Sequence, residues 1–176
     1  MEGRLHEYCN HGNYIEFIYQ DGENITDIHD NIFFKMLNNM KNQGYSVFQK
    51  HYKELVYRNM KYENNEKSQV KIYKTSVTKQ DDLSNGIKVI VQIKEKLPYH
   101  VFPSTTMLHS VAYVSKVIMK VNNRIYVNFE KRRYENQDKA SNVSFNKIYI
   151  NYNHDDNVDI VNMEKVLNTC IKQLVS

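Results

Sequence analysis

The chain has 176 residues, 41% of them hydrophobic and 25% charged, values of a folded globular protein that exclude wholesale disorder. That length suits one domain spanning 1–176, and a net charge of +4 with a pI near 8.9 permits an anionic partner without the lopsided charge of a dedicated DNA-binding domain. Cys9 and Cys170 lie far apart with no paired spacing, and no window resembles a leader or reaches the ~20 apolar residues of a membrane span. A reducing, cytoplasmic setting without membrane association is therefore expected.

Residues 14–19 read as a strand closed by the Asp21-Gly22 turn. The apolar residues Ile25, Ile28, Ile32, Phe33, Met36, Leu37 and Met40 then recur at spacings of three and four. They predict a helix over about 27–43, capped by Thr26 or Asp27 and ended by Gly44. Six strands are predicted next, at 46–63, 69–79, 86–97, 110–121, 124–134 and 146–153, with Asn85-Gly86 marking one turn. Residues 134–142 are polar enough for a loop. Ile160, Met163, Val166, Leu167, Cys170, Ile171 and Leu174 form the stripe of a second helix over about 157–174, with Asp156 as its cap. Strands gathered between two helices predict an α+β fold: an antiparallel meander of six to seven strands flanked by those helices.

The hairpin at residues 110–134 carries the most specific expectation. If Asn122 and Asn123 form a two-residue turn, Val121 faces Arg124. One face then holds Ala112, Val114, Ile118, Ile125, Val127 and Phe129, the better candidates for the core. The other presents Tyr113, Tyr126, Asn128, Arg132 and Tyr134, and the strand at 46–63 adds Lys50, Tyr52 and Arg58. Aromatic rings beside cationic groups on an open sheet stack bases and hold phosphates.

Catalytic signatures are sparse. The five glycines are isolated, which excludes the common phosphate-cradling loops, and no HExxH, CxxC or GxSxG occurs. Triphosphate hydrolysis inside a β-tunnel would want metal-binding carboxylates alternating along a strand. There is no Glu-x-Glu, which leaves Glu95 and Glu130 as isolated candidates. His6, Cys9 and His11 could ligate a transition metal and His154, Asp155, Asp156 and Asp159 a hard cation, but packing and helix capping account for both groups. His100, Ser104 and His109 hold the ingredients of nucleophilic catalysis.

The leading expectation is a non-enzymatic protein that binds single-stranded nucleic acid, RNA above DNA, through its tyrosine-rich basic face, with no cofactor and no metal. The alternative is a protein-interaction or assembly subunit, such as a large DNA virus encodes, using the same face to bind a protein partner or a second copy of itself. A hydrolase built on one of the histidine clusters comes third.

Overall fold

The computed structural model describes residues 1–65, 70–98, 110–135 and 144–176. A short helix, α1 (Arg4–Cys9), leads into β1 (Tyr14–Tyr19), and α2 (Asp30–Lys41) follows. Seven strands come next: β2 (Ser46–Tyr57), β3 (Met60–Asn65), β4 (Val70–Leu83), β5 (Ile87–Leu97), β6 (Ser110–Lys120), β7 (Ile125–Tyr134) and β8 (Ser144–Asn153). Helix α3 (Ile160–Val175) completes the described elements. No helix among the described residues is long and apolar enough to cross a membrane.

Every neighbouring pair is antiparallel, in the order β1-β5-β4-β3-β2-β6-β7-β8, and β8 returns to β1. The expected open α+β meander is therefore wrong. The sheet is a closed eight-stranded barrel. β1 makes the closure, because Phe17 pairs with Val89 of β5 on one side and Ile150 of β8 on the other. Closing a sheet removes the unpaired edges that an open meander leaves to solvent.

Two local features explain the miscounted strands and the misread register. The expected strand at 46–63 is two strands, split between Tyr57 and Met60, where Arg58 takes the left-handed φ of 53°. A turn of that kind carries no glycine signal, since the positive φ falls on arginine. In the β6–β7 hairpin, Val121 N donates to Ile125 O and Lys120 pairs with Tyr126, so the loop holds three residues, not two. Asn122 Oδ1 accepts from the backbone N–H groups of both Arg124 and Ile125, which stabilises the longer loop. A one-residue slip moves a whole strand's side chains to the opposite face. Ala112, Val114 and Ile118 therefore share a face with Tyr126, Asn128, Glu130 and Arg132, and not with Val127 and Phe129.

The main apolar core lies outside the barrel. Ile15, Phe17, Val89, Val91, Met119, Val127, Phe129, Ile148 and Ile150 point outward from the wall into one cluster with Leu5 of α1, Phe33 and Leu37 of α2, and Leu167 and Ile171 of α3. The helices are amphipathic because they cap this outer wall. Their ends follow local chemistry: His29, and not Thr26 or Asp27, caps α2 by accepting from Asn31 N, and Asp159, and not Asp156, caps α3 by accepting from Asn162 N. Asn146 pins the approach to α2, its side-chain amide donating to Ile28 O and to Asp30. Gly12 lets the chain pass close to β5; a Cβ there would lie 2.3 Å from Gln92 O.

Candidate active site

Because side chains alternate along each strand, burying one row beneath the helices turns the other row into the barrel. The inward rows are Tyr14 and Glu16 of β1; Lys50, Tyr52 and Glu54 of β2; Lys61 and Glu63 of β3; and Lys71 and Tyr73 of β4. They continue with Lys94 and Lys96 of β5, Lys116 of β6, Asn128, Glu130 and Arg132 of β7, and Lys147, Tyr149 and Asn151 of β8. They surround a cavity of about 790 Å³. Its described lining carries eight Lys or Arg side chains and four glutamates, a surplus of four positive charges. The whole chain has a net charge of +4, so the surplus sits in the lumen and the rest of the molecule is close to neutral.

The four luminal carboxylates are engaged by cations and phenols. Arg132 grips Glu54 with Nη1 at 2.6 Å and Nη2 at 3.3 Å, and its Nε reaches Glu130 at 3.4 Å. Lys116 lies 3.6 Å from Glu130. Lys147 donates to Glu16 at 3.1 Å, as the Tyr14 hydroxyl does at 3.2 Å. Glu63 accepts from the Tyr73 hydroxyl and lies 3.6 Å from Lys50. Burial alone would push Glu16, Glu63 and Glu130 up, yet Lys147, the Tyr73 hydroxyl with Lys50, and Lys116 with Arg132 respectively hold them below the usual carboxylate value.

The cations divide into two kinds. Burial disfavours the charge of Arg132, but Glu130 and Glu54 outweigh it and leave the guanidinium's pKa raised. Lys94 has no ion-pair partner among the described residues; its ammonium rests 4.6 Å from the Tyr14 ring and 4.3 Å from the Tyr73 ring. Burial lowers the Lys94 pKa, with Glu63 opposing only in part, and it does the same to Lys50. Lys50 and Lys116 are direct partners across the β2–β6 ladder, and both lie over the Tyr52 ring, at 4.9 and 5.2 Å. Burial disfavours the Lys116 charge, but the Tyr149 and Tyr52 hydroxyls and Glu130 outweigh it and leave its pKa raised, whereas Lys116 adds to the depression of Lys50 beside Glu63.

Divalent metals assist many phosphoryl transfers, and a hard cation wants several converging oxygen ligands. The luminal glutamates do not fit that need. They stand on four different strands, each already bound by Lys, Arg or Tyr, and no three metal-ligating side chains converge among the described residues. Glu95, one of the two candidates read from the sequence, is exposed on β5; Glu130 is the one that enters the lumen.

Of the face expected to bind nucleic acid, Lys50, Tyr52, Tyr126, Asn128 and Arg132 line the cavity. Tyr113 points out of the barrel, 40% exposed, between Lys53 and Arg133. Tyr134 lies near the end of β7 against Phe145, and Arg58 belongs to the β2–β3 turn. His154 lies at the margin of the cavity, its Nδ1 bonded to the Tyr152 hydroxyl. Asp155 pairs with Arg124, and Asp159 is spent on the helix cap. His6, Cys9 and His11 form no metal group, and burial pushes the Cys9 thiol up to about 11. His100, Ser104 and His109 lie outside the described residues. Sequence reading missed Glu16, Glu54, Glu63, Lys94, Lys116 and Lys147. Their signal was the alternation itself, Lys-x-Tyr-x-Glu on β2 and Lys-x-Tyr-x-Asn on β8, which resembles an ordinary solvated face.

No protein-family model matches the chain, and no curated protein matches it. Solved structures do match. The Pct1 RNA triphosphatase of S. pombe aligns with a TM-score of 0.69 at 11% identity, over 97% of this chain and 88% of that one. The fold is that of RNA triphosphatases. The triphosphatase of the mimivirus capping enzyme aligns in its monoclinic and triclinic crystals with TM-scores of 0.66 and 0.62, at 11% identity, over 98% of this chain and 94% of that one. These neighbours and the closed lumen overturn the expectation of a non-enzymatic protein binding RNA on an open sheet face. The face bearing Tyr126 and Arg132 is the inside of a barrel, and the neighbours that share it are themselves triphosphatases.

Proposed function

We propose that the lumen receives the 5′-triphosphate end of an RNA and hydrolyses its terminal phosphoanhydride. The observation that carries this reading is the surplus of four positive charges gathered inside the closed barrel. A polyphosphate is the ligand such a lumen suits, because fixed cations in a partly desolvated site hold the charge of a phosphoryl group through its transfer. In the reaction, water adds to the γ-phosphorus as its bond to the β–γ bridging oxygen breaks. The bonding pair leaves with the diphosphate end, and the water proton passes to the released phosphate. Lys116 and Lys50 face the transferring oxygens, while the Arg132–Glu54 pair holds the wall in shape. The fold of the neighbours supports triphosphate as the chemistry and RNA as its bearer. A reducing, intracellular setting belongs to the same proposal and agrees with the free thiols of Cys9 and Cys170.

The test is phosphate release from an oligoribonucleotide labelled at the γ-position, beside ATP and inorganic tripolyphosphate, with and without added divalent metal. Release from the RNA that disappears in the Lys50→Ala/Lys116→Ala double variant is the expected result, with circular dichroism confirming that the variant folds. Equal release from all three compounds would remove RNA as the specific bearer. No release from any of them under any condition sinks the hydrolase reading.

A further inference from the structure

We infer that the lumen holds its triphosphate with side-chain cations alone, so that Lys50, Lys94 and Lys116 supply the counter-charge and no resident divalent metal takes part. The inference rests on the luminal triphosphate reading above and deepens it.

Three observations carry it. First, the carboxylates are closed to a metal. Lys147 and Tyr14 bind Glu16, Arg132 binds Glu54, Tyr73 and Lys50 engage Glu63, and Lys116 and Arg132 flank Glu130. A metal ion would have to displace a cation from each before it gained a ligand, and the freed ammonium would then repel it. Second, Lys147 enters between carboxylates, paired across the ladder with Glu130 while its Nζ reaches Glu16. It holds a positive charge where a metal would need to stand. Third, cations remain for a ligand. The Lys94 ammonium rests on the Tyr14 and Tyr73 rings with no ion pair among the described residues, and Lys50 and Lys116 oppose each other over Tyr52, each 3.6 Å from one glutamate that takes at most one of its three N–H donors. Their remaining N–H donors can take phosphate oxygens, which is what a binding site for phosphate requires.

The experiment is equilibrium dialysis of the full chain against radiolabelled tripolyphosphate, in excess EDTA and in excess Mn²⁺, with electron paramagnetic resonance of Mn²⁺ added to the protein alone. The expected affinity in EDTA lies within about twofold of that in Mn²⁺, and the protein alone gives no bound-Mn²⁺ signal. Lys94→Ala and the Lys50→Ala/Lys116→Ala pair are each expected to weaken binding by about tenfold or more, a loss on the scale of one or two charge-assisted hydrogen bonds. The thermal midpoint of Lys94→Ala should be unchanged or higher, because burial disfavours the charge it removes, while circular dichroism checks that the Lys50→Ala/Lys116→Ala pair, which also loses the contacts to Glu63 and Glu130, still folds. Binding that appears only with Mn²⁺, or Mn²⁺ held by the protein alone, overturns the inference while leaving the triphosphate site intact. Absence of tripolyphosphate binding in both buffers overturns the underlying reading as well.

Discussion

The two faces of one barrel wall make opposite demands on the same strands. Along β7, Val127 and Phe129 point out and are packed beneath the helices, whereas Asn128, Glu130 and Arg132 alternate with them and point in. Along β8, Ile148 and Ile150 point out while Lys147, Tyr149 and Asn151 point in. The outer face gains stability by removing apolar area from water, at about 25 cal/mol per Å². The inner face spends stability, because charges leave bulk water and are held by one another. The contrast places the apolar core on the outer wall and the charged groups on the inner one. It also explains why the core is not where a barrel's interior would suggest.

The largest expected effect breaks the inner face at its most buried pair. Glu54, 1% exposed, is held by both Arg132 nitrogens, and Glu54→Ala would leave a buried guanidinium short of its main partner. The expected loss is about 3–5 kcal/mol of unfolding free energy in urea titration. A loss below about 1 kcal/mol would mean that the pair does little to hold the wall.

A smaller effect sharpens the split between structural and ligand-facing cations. Lys50 and Lys94 have pKa values depressed below 10.5 by burial, with Glu63 opposing and Lys116 adding to the depression; an anion beside them would raise both. Tripolyphosphate affinity should therefore be full below the depressed values and fall as pH rises through them, ahead of the 10.5 of an ordinary lysine. The pH profile measured by dialysis checks this. An affinity flat up to pH 10.5 would show that neither ammonium touches the ligand.

The smallest effect belongs to the outside. Tyr113 is exposed on the outer wall among Lys53 and Arg133, so Tyr113→Ala should change stability by less than about 0.5 kcal/mol and leave triphosphate binding unaltered. A clear loss of binding in that variant would return the outer surface to the functional argument.

Much of the local structure was legible in the residue pattern. The stripe from Ile28 to Met40 and the stripe from Ile160 to Leu174 both mark helices, and Gly86 marks the β4–β5 turn with φ of +79°. The candidate site was legible only in part. Lys50, Tyr52, Tyr126, Asn128 and Arg132 stand out as aromatic and cationic residues, but Lys94 is one of three lysines on β5 and Lys147 stands alone on β8, and lysine in strands also serves to protect edges. The miscounted strands trace to Arg58, whose left-handed turn has no glycine to announce it. The misread hairpin face traces to Asn122, whose side chain stabilises a loop one residue longer than the Asn-Asn pattern implies.

The alternation of polar and apolar residues by itself determined that strands such as β7 and β8 have two unlike faces, and the helical stripes that amphipathic helices cover an apolar one. Whether the second face meets open solvent or encloses a cavity was decided by tertiary structure alone. Local pattern is the same for a solvated face and a polar lumen, since both place Lys, Glu and Tyr at every second position. The difference lies in the long-range pairing of β1 with both β5 and β8, contacts between residues far apart in the chain, and that pairing turns a row of exposed charges into a chamber of about 790 Å³.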